Sequence, residues 1–104
     1  MSPMHLVQII LPRYSNDGEA IDPSVFRDVR QTLLDRFGGV TAFTRAPAQG
    51  LWQDGSSIQR DEVLLYEVMV QELDRSWWAA YRQELEARFE QKELVIRAHR
   101  IERL

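Results

Sequence analysis

Val63-Leu64-Leu65-Tyr66-Glu67-Val68-Met69-Val70 is apolar at every position except Glu67. Side chains alternate across a strand, so a run that is greasy in both registers belongs where both faces are covered. It is too short for a typical helix and rich in β-formers, which predicts the central strand of a sheet. The rest of the chain is read outward from it.

Upstream, Asp54-Gly55-Ser56-Ser57 reads as a hairpin-type turn, with a strand recovering from Ile58 to Val70. Val40 to Ala46 has strand character, but Pro47 and Gly50 interrupt it, so Ala46 to Asp61 is expected to be a long loop. Before that stands the clearest helix. Asp22 can accept from the first free amides, Pro23 suits the first helical position, and Gly38-Gly39 supplies a left-handed stop. Phe26, Val29, Leu33 and Phe37 form its apolar stripe. A first strand runs from His5 to Leu11 and ends at Pro12, which has no amide to donate.

Downstream, Asp74 can cap a second helix, Arg75 to about Gln91, with Trp78, Tyr81, Leu85 and Phe89 as its buried stripe. Lys92-Glu93 ends it, and Leu94 to about Ile101 makes a last strand. The order strand, helix, strand, strand, helix, strand predicts an α+β β-α-β-β-α-β sandwich, an antiparallel four-stranded sheet with both helices on one face. Right-handed crossovers then place the first strand beside the third in the sheet centre.

The 104 residues match one domain spanning 1–104. With 44% hydrophobic and 28% charged residues, the balance is globular. Cysteine is absent, which removes thiolate metal sites and thiol nucleophiles and leans towards a reducing, cytoplasmic setting. No signal peptide or membrane span is expected. The net charge of −3 disfavours nucleic acid, whose binding rests on neutralising phosphates.

Alternation divides the sheet residues into two sets. Val7, Ile9, Leu11, Val40, Ala42, Leu64, Tyr66, Val68, Val70, Leu94, Ile96 and Ala98 are expected to face the helices. The opposite set includes Leu6, Ile10, Phe43, Val63, Leu65, Met69, Val95 and Ile101, too apolar a surface to stay bare. A second copy of the chain is the simplest cover, so a homodimer packed sheet to sheet is expected.

Among that set lie Gln8, Arg45, Glu67, Arg97 and His99. They define a polar pocket in an apolar cleft, with Glu67 or His99 as proton carrier and Gln8, Arg45 and Arg97 as ligand contacts. The competing reading pairs Glu67 with an arginine, across strands or across the dimer, and leaves His99 near the rim. Trp52, between Gly50 and Gly55, lids the pocket, reaches a neighbouring subunit, or anchors its long hairpin. Arg13 and Tyr14 either share its rim or are ordinary turn surface. Trp77 either marks a contact surface or folds over its helix edge. No phosphate loop, catalytic triad or metal-ligand spacing is present, and no cofactor is expected.

The element order resembles the ferredoxin-like fold, and the apolar outer sheet resembles that of the dimeric α+β barrel proteins. Gly39-Val40-Thr41, Gly50-Leu51-Trp52, Gly55 and Asp61-Glu62 to Glu67 are similar to short bacterial proteins of this architecture. The barrel group includes cofactor-free oxygenases, isomerase-like degradative enzymes, haem-pocket enzymes and ligand-sensing domains. The resemblance widens the options, and the residues of the outer face leave two readings. One is a small homo-oligomeric binding domain, with a ligand or partner at the open sheet face. The other is a cofactor-independent enzyme acting on a small anionic metabolite, with Glu67 or His99 as proton carrier.

Overall fold

The computed structural model describes residues 4–54 and 57–104, with side chains for 4–43 and 62–104. Its elements are β1 (Met4–Pro12), α1 (Pro23–Phe37), β2 (Thr41–Asp54), β3 (Ser57–Val70), α2 (Arg75–Arg88) and β4 (Val95–Ile101). The sheet runs β2-β3-β1-β4 with antiparallel pairing throughout. This is the expected ferredoxin-like β-α-β-β-α-β sandwich, with β1 beside β3.

The ends of α1 obey their local chemistry. The Asp22 carboxylate accepts from the Ser24 amide at 2.8 Å, which holds its own pKa below the usual carboxylate value. Gly38 closes the helix at φ 80°, where a side chain would crowd the backbone. α2 is capped by Asp74, which accepts from the Trp77 amide. It ends at Arg88, earlier than the expected Gln91, because Glu90 takes a left-handed φ of 51°.

The core lies between the sheet and both helices. Val7, Ile9, Leu11, Tyr66 and Val68 from the sheet meet Val29, Leu33, Leu85 and Phe89, all nearly free of solvent. The Tyr66 hydroxyl accepts from Arg30 of α1 at 2.8 Å, so the buried phenol oxygen is paired. The helices are pinned to each other at both ends. Arg88 bonds Asp28 at 2.9 Å, and Arg36 approaches Asp74 at 3.7 Å. At the second end Phe37 stacks on Trp78 and meets Trp77 edge to face. Trp77 also carries the Arg36 guanidinium 4.4 Å from its ring centre. It therefore folds over the helix edge and packs, partly covered, against the core.

Some expected core positions differ. Val40 and Ala42 are only partly covered, and Ala98 is exposed. Ala98 points to the helix side by its register opposite Val7, but nothing large reaches it.

The stretch Ala46 to Asp61 is not a loop. β2 and β3 pair from Thr41↔Glu67 to Phe43↔Leu65, and again from Ala48↔Val63 to Asp54↔Ser57. Between Phe43 and Ala48, β2 advances five positions while β3 recedes two. Pro47 lies in that irregularity, where its missing amide costs no ladder bond. Gly55 and Ser56, the expected turn, lie outside the described residues. β1 pairs with β3 only from Val63 to Val70, so the distal half of the hairpin runs beyond the three-stranded part of the sheet. A 14-residue strand spans about 46 Å, close to the 47 Å long axis of the molecule.

Burial also sets a pH expectation. Tyr81, 7% exposed, has its phenol pushed up to about 12 from 10.0, chiefly by desolvation, with a hydrogen bond to Thr32 opposing. The folded chain thus holds a proton that the unfolded chain releases. The contribution of this group to stability is complete below pH 10 and falls as the pH rises from about 10 towards about 12. A spectrophotometric difference titration of wild type against Tyr81→Phe should show the missing tyrosinate only in that upper interval. Ionisation near 10 with the fold intact would contradict its burial.

Candidate functional site

The side of the sheet that lacks helices is built in rows, each set by strand register. One row is Phe43, Leu65, Ile10 and Val95, taken from β2, β3, β1 and β4 in order. The next is Thr41, Glu67, Gln8 and Arg97. The third holds Met69, Leu6 and His99. A polar row therefore lies between two rows that are mostly apolar. Phe43, Val95 and Met69 are each close to half exposed (48–49%), and Leu6, Ile10 and Leu65 are partly covered.

The polar row is wired together. Arg97 donates from Nε to the Gln8 Oε1 at 2.7 Å. Gln8 donates from Nε2 to the Glu67 Oε2, also at 2.7 Å. The Gln8 amide is thus oriented by a guanidinium on one side and a carboxylate on the other, a charge-assisted arrangement at each end. The structure brings together three of the expected site residues. Among the described side chains Glu67 meets no arginine directly; it reaches Arg97 through Gln8.

His99 lies on the same face but one row away, on the edge strand, and is exposed. By backbone position it stands about 12 Å from Glu67, two strands across and two residues along. The two proton-carrier candidates therefore address opposite ends of anything lying across the face. The side chains of Arg45 and Trp52 lie outside the described residues. The backbone places Trp52 opposite Gln59, about 26 Å along β3 from Glu67. Arg13 and Tyr14 are not on this face. They line a separate hollow of about 280 Å³ on the helix side, with Arg30 and Tyr66.

No protein-family model matches the chain, and no curated protein matches its sequence. Solved structures do. A divalent cation tolerance protein (Cut A1) from Thermus thermophilus superposes with a TM-score of 0.62 at 15% identity, over 94% of this chain and 84% of that one. CutA1 from Oryza sativa gives 0.64 at 13% identity, over 96% and 81%. A phage SAM lyase in complex with S-methyl-5'-thioadenosine gives 0.60 at 13%, over 92% and 80%. The likeness is one of fold. At these identities the site has to be argued from its own residues.

Among the described residues, no three His, Asp or Glu side chains gather as a metal site. No helix among them is long and apolar enough to cross a membrane. Alternation was sufficient to put Gln8, Glu67 and Arg97 on one face. Their alignment in a single row needed the register, which no residue type encodes.

Proposed function

We propose that this chain is a small homo-oligomeric binding domain whose open sheet face packs against a second copy and encloses a small, partly apolar, anionic ligand. The observation that carries the reading is the wired row Glu67–Gln8–Arg97 set between half-exposed apolar rows. Phe43, Met69 and Val95 supply surface that gains from being covered. The row supplies a guanidinium whose Nε is already fixed, leaving its terminal nitrogens to face an anionic group. Glu67 stands ready at the other end for a donor. Arg45 and Trp52 belong to the same reading. In this reading Trp52, whose backbone lies far along the hairpin, serves a neighbouring copy rather than its own row.

One of the fold neighbours is described by tolerance of divalent cations, and another by a bound nucleoside thioether. The residues that converge on this face are one carboxylate, one amide and one guanidinium, which suit an anionic group better than a cation. The alternative, a cofactor-independent enzyme, needs only Glu67 or His99 as proton carrier; a role for both at once needs a substrate long enough to span them.

Light scattering across a wide concentration range should give a mass above that of one chain. A panel of small carboxylate and phosphate metabolites should then raise the melting temperature of wild type. A ligand at a hundredfold excess over its Kd stabilises by about 2.7 kcal/mol, roughly 10 °C or more for a chain of this size. Arg97→Ala should lose most of that shift. A monomer at every concentration overturns the assembly, and a flat panel overturns the ligand.

A further inference from the structure

The helix side of the sheet contains a second feature that the open face does not explain. α2 and the edge strand β4 are separated by a groove of about 460 Å³. Arg75, Ala79 and Arg82 line it at i, i+4 and i+7 of the helix, the spacing of one face. Ala98 and Arg100 line it from alternate positions of β4, and His5, opposite Arg100 in the register, closes one end. The groove exists because Ala79 and Ala98 are both short and both exposed, so the two layers do not fill the space between them.

The lining is unlike the rest of the molecule. In a chain of net charge −3, Arg75 and Arg82 of α2 and His5 and Arg100 of the helix-side register line this groove. Arg97 and His99 also border it but belong by register to the open face, and among the described residues no carboxylate lines it. Arg82 bonds the neighbouring Glu86 at 2.9 Å. Arg97 is held by Gln8 on the other side of the sheet. Among the described residues, Arg75 and Arg100 meet no carboxylate. The His5 Nδ1 is buried and has no hydrogen-bond partner among them, an arrangement that normally carries a cost. Below the charged rim, Val7, Ile96 and the edge of Trp78 supply an apolar floor.

We propose that this groove binds a phosphorylated small molecule, with the phosphate between Arg75 and Arg100 and the organic body on the apolar floor. Two guanidiniums from separate elements suit a tetrahedral dianion, which can accept from both forks at once. The volume is that of a site for a whole small molecule rather than a lone ion. The short groove and acidic overall charge oppose an extended polyanion. Arg97 and His99 border both surfaces, but Arg75, Arg100 and Ala98, which carry this proposal, lie on the helix side, so the two readings are tested separately.

The test is an amide-resolved NMR titration of the full chain with AMP, adenosine and inorganic phosphate, alongside sedimentation with phosphatidic acid vesicles. AMP should shift the amides of Ala79, Ala98 and Arg100 saturably. Inorganic phosphate should do so more weakly, and adenosine not at all. Arg75→Gln combined with Arg100→Gln should weaken AMP at least tenfold, since each charge-assisted bond is worth a factor of roughly 10 to 100. Ala98→Leu, which fills the groove without touching the core, should abolish the shifts and leave the melting temperature unchanged. Equal response to adenosine, shifts scattered over other arginines, or undiminished binding by Ala98→Leu would overturn the site. Shifts confined to Gln8 and Glu67 would overturn it and leave the open-face reading standing. Capture by vesicles without an AMP response would replace the small molecule by a lipid headgroup, and so overturn the proposal as stated.

Discussion

Phe89→Ala should lower the unfolding free energy by about 3–5 kcal/mol. Phe89 is completely shielded at the end of α2 and meets Phe26 of α1 edge to face at 5.3 Å. Removing the ring takes away the contact that joins the C-terminal end of α2 to the start of α1, and the backbone there cannot collapse freely. The Phe89 amide is committed to Leu85 at 2.8 Å, so the site keeps its shape and the cavity remains. For a domain of this size the loss corresponds to a fall in melting temperature of roughly 12 °C or more. Since total stabilities run about 5–15 kcal/mol, this single truncation removes a large share of the whole. Val95→Ala provides the contrast. That side chain is nearly half exposed, and in the isolated chain its truncation should cost less than about 1 kcal/mol. Urea unfolding of the two variants distinguishes core from open face. Near-equal losses would mean that the two sides of the sheet have been assigned wrongly.

The second large effect concerns the open face. Leu65→Lys should convert the proposed assembly to monomers while leaving each chain folded. Leu65 sits between Phe43 and Ile10 in the apolar row, on the opposite side of β3 from the core residues Leu64 and Tyr66. In a lone chain the lysine can extend into water and little is lost. Under a second copy its charge would be buried without a partner, at about 3–5 kcal/mol, which weakens association by a factor of about 100 to several thousand. Glu84→Lys, on the exposed side of α2, shifts the charge in the same direction and should leave the mass unaltered. A wild-type mass retained by Leu65→Lys, with unchanged thermal unfolding, would remove this face from any interface.

What could be read in advance follows from where residue type and position coincide. α1 was legible at both ends because Asp22, Pro23 and Gly38 each carry a conformational requirement of their own. The central strand was legible because Val63 to Val70 is apolar in both registers. The distal hairpin was not, because Pro47 and Gly50 signal a break whether the chain leaves the sheet or only bulges within it. Pairing beyond the bulge depends on a partner strand, Ser57 to Glu62, whose own composition is polar. The end of α2 falls a few residues short of its expected place since no glycine marks it and Glu90 adopts the left-handed conformation unaided.

The candidate site shows the same division. Period-two alternation sorted Gln8, Glu67 and Arg97 correctly from the core. It could not say that they stand side by side, which depends on three strands meeting in one register. For Ala98 the pattern indicated the helix side but not whether anything would cover it, because that is decided by the size of Ala79 across the gap. The groove was missed for this reason, although the i, i+4, i+7 repeat of Arg75, Ala79 and Arg82 was present as a clue.

The orientation of the Gln8 amide has one more consequence. With Arg97 at one end and Glu67 at the other, the row acts as a small fixed dipole lying across the strands. If two copies meet face to face about a two-fold axis, an axis parallel to this dipole would set like poles over one another. An axis running along the strand direction would instead lay each guanidinium over the opposite carboxylate. The polarity of a single side-chain amide thus selects between the two ways in which the same pair of surfaces could be superimposed.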